Sequence, residues 1–266
     1  MNMSDEEQFY SVRSLSGDLR KLGLEPGATV IVHSSLKAIG RVVGGPVSVL
    51  LAIEQTLTES GTLLMPTFSE HLCDPSENKT YPEEAREFVR DNMPLFYPDL
   101  TPVDKWNGFL TEVFRKQENV VRSSHPHVSF AAWGKQASYI TEDQPLNYAL
   151  GPDSPLDKLY KLEGQILLLG APKDSITALH LAEYSVEKLF DPGKKWLAKI
   201  LEDGEERGVT YIDVDNNSDI FPALLDDYIG DGGKYSTGRF GSAESYLIPV
   251  GDLVDFGVEW LRKNRK

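Results

Sequence analysis

The sequence predicts an α/β fold, a three-layer α/β/α arrangement on a mixed sheet with a β-rich insertion toward the C-terminus. Three observations lead there. Thr29-Val30-Ile31-Val32, Thr62-Leu63-Leu64-Met65 and Gln165-Ile166-Leu167-Leu168-Leu169 are short apolar runs of the kind buried on both faces of a sheet. An amphipathic stretch from Val47 to Leu57, opening at Pro46, separates the first two runs, which is the strand, helix, strand order of parallel pairing. At 266 residues, with 40% hydrophobic and 26% charged content, the chain has the size and composition to bury a real core.

Taken in order, apolar residues recur at helical spacing from Ser11 to Leu22 until Gly23, Pro26 and Gly27 break the pattern. The first strand then runs into His33-Ser34-Ser35, and Gly44-Gly45 precedes the Pro46 helix. A second strand ends at Pro66. From Phe68 to Val103 the sequence is rich in Pro, Asp, Asn and Glu, which predicts an extended excursion with one short helix over 82–91. Thr111 to Lys116 reads as helix, Ser129 to Trp133 as strand, and Leu156 to Lys161 as a short helix after Ser154-Pro155. The Gln165 strand closes at Gly170, and Thr177 to Glu187 is expected to be helical. Beyond Asp191, alternating runs at Trp196 to Leu201 and Gly208 to Val214 give a β-rich subregion near 191–248. Val254 to Leu261 is the last amphipathic helix. We therefore expect one domain over 1–266.

With 27 basic against 41 acidic residues, the net charge of −14 repels nucleic acid and anionic membranes and allows a cationic partner, although solubility alone also accounts for an acidic surface. No apolar run approaches the ~18 residues of a membrane span, and the acidic start is unlike a signal peptide, so the expected location is the cytoplasm. The single cysteine, Cys73, excludes an internal disulfide and a cysteine metal cluster.

Three clusters carry chemistry. His180 and Glu183 stand three residues apart on one predicted helix face, where a carboxylate orients an imidazole as a general base needs. A surface pair without a role is the competing reading. His33-Ser34-Ser35-Leu36 follows a strand, either as a polar loop for phosphate or amide groups, or as a helix cap with His33 in a satisfied hydrogen bond. Arg122-Ser123-Ser124-His125 is an anion clamp or a solvated turn. There is no Walker A loop, GxGxxG or HExxH motif, so no metal is called for. A serine hydrolase is weakened because Gly151-Pro152-Asp153-Ser154-Pro155 departs from GxSxG at the second glycine.

The order of several motifs resembles the aminoglycoside N3-acetyltransferase family across roughly residues 15–262. They are Val-Ile-Val-His-Ser-Ser-Leu-Lys-Ala-Ile-Gly at 30–40, Gly61 to Thr67, Arg122 to Pro126, Ser129 to Gly134, Gly151 to Leu156, His180-Leu181-Ala182-Glu183 and Gly238 to Ala243. The resemblance implies an acetyl-CoA-dependent N-acetyltransferase acting, without a metal, on an amine of an aminoglycoside or a similar cationic acceptor. It implies His180 as the base, with Glu183 orienting it. His33, Ser34, Ser35, Leu36 and Ile39 become coenzyme contacts, Arg122 and Ser123 a second contact, and Phe130 a wall. Thr67, Glu70 and Asp213 are the acceptor-side candidates, and Cys73 is noncatalytic. A homodimer is compatible with this reading. A noncatalytic protein that only binds coenzyme A or another ligand fits less well, because both His180 and Glu183 are present.

Overall fold

The computed structural model describes residues 8–77, 81–186, 193–202 and 204–264. In chain order its elements are β1 (Phe9–Tyr10), α1 (Val12–Leu22), β2 (Thr29–Ser34), α2 (Leu36–Ile39), β3 (Arg41–Val42), α3 (Pro46–Leu57) and β4 (Thr62–Pro66). The excursion holds α4 (Arg86–Asn92), and after it come α5 (Phe109–Phe114), β5 (Val121–Arg122), β6 (Phe130–Gly134), α6 (Ala137–Thr141), α7 (Pro155–Lys161), β7 (Gln165–Leu169) and α8 (His180–Glu183). The chain continues with β8 (Lys194–Glu202), β9 (Glu205–Asp213), α9 (Phe221–Gly230), β10 (Ser236–Phe240), β11 (Ala243–Pro249) and α10 (Val250–Asn264).

Seven strands make one mixed sheet in the order β10-β11-β7-β2-β4-β6-β5. The centre is parallel: β2 pairs with β7 through Ile31↔Ile166 and with β4 through Val30↔Leu63. β6 joins β4, and β11 joins β7, antiparallel. Because successive side chains in a strand point to opposite faces, the apolar runs feed two cores. Ile31, Leu64, Ile166 and Leu168 pack with residues of α7, α9 and α10, whereas Val30, Val32, Leu63, Met65, Leu167 and Leu169 pack with α1 and α3. The strands and helices therefore form an α/β fold on a mixed sheet with two apolar clusters.

Local chemistry fixes the helix ends. Ser11 and Ser14 form a reciprocal capping box at α1, and Gly23, at φ 100°, ends it in the left-handed region that favours glycine. Ser154 caps α7 through the Asp157 N–H at 3.2 Å, with Pro155 in the first turn.

The stretch read as β-rich is more mixed than its alternation suggested. β8 and β9 form a separate antiparallel hairpin, with Trp196 opposite Tyr211. The following residues fold into the ten-residue helix α9, and β10 and β11 extend the main sheet. Residues 191 and 192 lie outside the described residues. The helix expected from Thr177 to Glu187 is a 3-10 turn over Thr177–Leu179 followed by the single α-turn of α8, and residue 187 also lies outside the described residues.

Candidate active site

A cleft of about 610 Å³ opens where the parallel strands end. His33 and Ser34 close β2, Pro66 closes β4, and Ala171 and Pro172 follow β7, so all three C-terminal ends meet one wall. Open parallel sheets place ligands at this edge because loops diverge there and leave a crevice. The excursion supplies Phe68, Glu70 and Cys73, and Trp106 follows it; the hairpin supplies Lys194, Trp196 and Tyr211; His180 also lines the cleft.

His180 Nδ1 lies 2.6 Å from Glu183 Oε2, and the glutamate side chain is wholly buried while the histidine is 13% exposed. The other carboxylate oxygen accepts the Asn217 N–H at 3.2 Å. With Nδ1–H donating to this carboxylate, Nε2 is the ring nitrogen left to accept a proton. The ring also packs on Phe221, with centroids 4.8 Å apart. The dyad is thus built into the core on one side and open to the cleft on the other.

His33 is not in the satisfied hydrogen bond that a capping loop suggested. It is buried, its Nε2 has no partner, and burial together with the neighbouring His180 pushes its imidazole down to about 3, so the ring is neutral. Asn216 Oδ1 and His127 Nε2 are likewise buried cleft residues' atoms without hydrogen bonds. Ser34 lines the cleft, while Ser35 caps α2 by accepting the Ala38 N–H at 3.3 Å. Leu36 packs half-buried against the α1 and α3 core, and Ile39 is fully inside it.

Four expected contacts lie behind the cleft wall. Arg122 spends its guanidinium inside the protein: Nε donates to Thr67 Oγ1 and Ser129 Oγ at 3.2 and 3.0 Å, Nη1 to the Pro98 and Thr101 carbonyls at 3.1 and 2.6 Å, and Nη2 to the Thr67 carbonyl at 2.6 Å. Burial and the nearby Arg115 push it down to about 10. Carbonyls beyond a strand end lack ladder partners, and this side chain satisfies them, stitching the excursion to the sheet. Ser123 Oγ bridges Gln144 and the Phe130 N–H. Thr67, expected on the acceptor side, is fully buried and bonded to Ser129. Phe130 is also fully buried and stands one layer back, edge-on to the cleft residue Phe68 at 5.5 Å.

On the acceptor side Glu70 lines the rim and is exposed. Asp213 lines the cleft too, but its carboxylate is engaged: it accepts the Tyr184 hydroxyl, the Val214 N–H at 2.8 Å and the Ala149 N–H at 3.2 Å. Burial pushes it above the usual carboxylate range, partly offset by these donors.

Sequence reasoning missed the aromatic wall. His127, whose Nδ1 lies 2.6 Å from the Tyr211 hydroxyl, and Trp196, with the Lys194 ammonium 4.2 Å from its ring centroid, come from segments far apart in sequence. The readable signal was Lys-Trp facing Thr-Tyr-Ile-Asp across one hairpin; nothing marked that hairpin as covering the β2 end. Among the described residues no group of three or more His, Cys, Asp or Glu could hold a metal ion, and no helix is long and apolar enough to cross a membrane.

The chain matches the family described as aminoglycoside 3-N-acetyltransferase over residues 31–262. It is 39% identical over 256 residues to the SPbeta prophage-derived aminoglycoside N(3')-acetyltransferase-like protein YokD of Bacillus subtilis (strain 168), covering 95% of this chain and 92% of that protein. The crystal structure of that protein superimposes with a TM-score of 0.92 at 37% identity, covering 97% of this chain and 95% of the other. Aminoglycoside N(3)-acetyltransferase VII of Streptomyces paromomycinus is 36% identical over 264 residues, covering 94% and 90% of the two chains. A solved structure described as AAC-IIIb binary with CoASH matches with a TM-score of 0.85 and 30% identity over 96% of this chain and 97% of that one.

Proposed function

This chain belongs to the aminoglycoside 3-N-acetyltransferase family and is an acyltransferase of that type, and from that premise we propose that it transfers acetyl from acetyl-CoA to an amine of an aminoglycoside or similar cationic acceptor. The observation that carries this reading is the 2.6 Å contact between His180 Nδ1 and buried Glu183 at the cleft. An ammonium is no nucleophile, so a base must take its proton before nitrogen attacks. His180 Nε2 takes that proton, and Glu183 holds the ring and stabilises the imidazolium. Asn217 in turn fixes Glu183 through its N–H.

Acetyl-CoA, when bound, supplies the thioester carbon that the acceptor attacks. His33 and Ser34 would hold it at the end of β2, because His33 Nε2 and Asn216 Oδ1 are buried polar atoms without partners, which an amide-bearing ligand can satisfy. A solved structure similar to this chain is described as binary with CoASH, which supports coenzyme A as the ligand. Glu70 and the faces of Trp106, Trp196 and Tyr211 would receive the acceptor, a carboxylate and aromatic rings being the groups that attract an ammonium. Cys73 takes no acetyl group, since burial and the carboxylate of Glu70 push its thiol well above the usual range. The same reading takes 1–266 as one antibiotic N-acetyltransferase domain of three layers that acts in the cytoplasm, alone or as a homodimer.

The test is incubation with acetyl-CoA and a panel of aminoglycosides while free thiol is followed. Acceptor-dependent thiol release supports the proposal. Its absence for every acceptor, with acetyl-CoA bound by calorimetry, removes the aminoglycoside assignment; no coenzyme binding removes the whole reading.

A further inference from the structure

We infer that Asp213 and Tyr184 form a positioning pair for the His180–Glu183 dyad, through which the acceptor-facing hairpin β8–β9 sets the direction of the base. The inference rests on His180 being that base. Asp213 ends β9, two residues after the cleft residue Tyr211, and its carboxylate receives the Tyr184 hydroxyl. Tyr184 directly follows Glu183, at the C-terminal end of α8. Four residues after Asp213, the Asn217 N–H holds Glu183 itself. One stretch of chain leaving the hairpin therefore grips two successive residues of the catalytic turn, one by its side chain and the other by its backbone.

The grip needs this geometry because α8 is a single turn. A helix so short has little stiffness of its own, so its orientation is set by what it touches. Tyr184 is held on both sides. A Cβ added at Gly151 would fall 2.5 Å from Tyr184 Cδ1, so the glycine lets the backbone close onto the ring. Asp213 Oδ2 accepts the Ala149 N–H from the same segment, and Tyr148 N–H donates to the Ile212 carbonyl at 3.0 Å, which binds that segment to β9. Trp196, opposite Tyr211 on the hairpin, lines the cleft. An acceptor pressing on that face bears on the strand whose end holds the dyad. Asp213, read from sequence as an acceptor ligand, instead orders the base.

The experiment compares Tyr184→Phe and Asp213→Asn with the wild-type protein. The readouts are the proton resonance of the His180–Glu183 hydrogen bond, assigned by its loss in His180→Ala, and steady-state kinetics with acetyl-CoA and neomycin as the acceptor probe. Tyr184→Phe keeps the ring in its slot and removes the hydroxyl alone. The resonance is expected to move upfield or broaden. kcat is expected to fall about 10- to 100-fold, the scale of a base displaced by about 1 Å, with KM for acetyl-CoA unchanged. A purely structural role would lower thermal stability but leave the resonance of the folded protein where it was. An unmoved resonance in Tyr184→Phe overturns the proposal, whatever the rate does. Near wild-type transfer by His180→Ala would instead sink the base assignment and with it the catalytic role of the pair, even if the resonance still moves in Tyr184→Phe.

Discussion

Glu183 touches His180 with one carboxylate oxygen, at 2.6 Å, and the Asn217 N–H with the other, at 3.2 Å, so the carboxylate that orients the imidazole is itself fixed from a different part of the chain. This relation separates the pair from a surface pair at the same i, i+3 spacing, whose two side chains point into water and contribute little.

Glu183→Gln keeps the shape and one hydrogen bond but removes the charge. Transfer is expected to slow by less than in His180→Ala. Steady-state rates of the two variants check this; full activity in Glu183→Gln would mean that the carboxylate does not act on the ring.

Arg122→Ala is expected to destabilise the protein by about 2 kcal/mol or more, since it strands buried carbonyls that the guanidinium now satisfies. Acetyl-CoA affinity of the folded protein is expected to be unaffected. Thermal unfolding alongside calorimetric titration checks both; a large loss of affinity at unchanged stability would restore Arg122 as a coenzyme contact.

Acid is expected to destabilise the fold through its buried imidazoles. Burial pushes His33 and His125 down to about 3 and His127 to about 4, below the ordinary 6.5. Below 6.5 the unfolded chain therefore binds more protons than the native one, so their contribution is fully present above about 6.5 and is lost as pH falls toward 3–4. Thermal midpoints from pH 8 to 4 are expected to decline below about 6.5. Replacing His125 by Gln should flatten that decline; an identical slope would show that its protonation is not involved.

The sheet was legible because residues 30–32, 62–65 and 166–169 are buried on both faces, and such strands announce themselves as unbroken apolar runs. The dyad was legible because a helical turn places His180 and Glu183 together by local geometry alone. Arg122 misled because an arginine flanked by serines reads the same whether its acceptors are a ligand's oxygens or the protein's own carbonyls, and the latter come from Pro98, Thr101 and Thr67. β10 and β11 alternate like an independent hairpin, and nothing local says that β11 will pair with β7 through Leu247↔Leu167. Asp213 and Tyr184 lie 29 residues apart, and their contact exists only once the hairpin has folded over the sheet edge.

The most direct test of the account is the rate of acetyl transfer by His180→Ala, followed as thiol release from acetyl-CoA with a saturating aminoglycoside across a pH series, alongside acetyl-CoA binding by calorimetry. Loss of the general base is predicted to lower transfer by about 10²–10⁴-fold while coenzyme affinity stays nearly unchanged. Transfer near the wild-type rate across that series would contradict it.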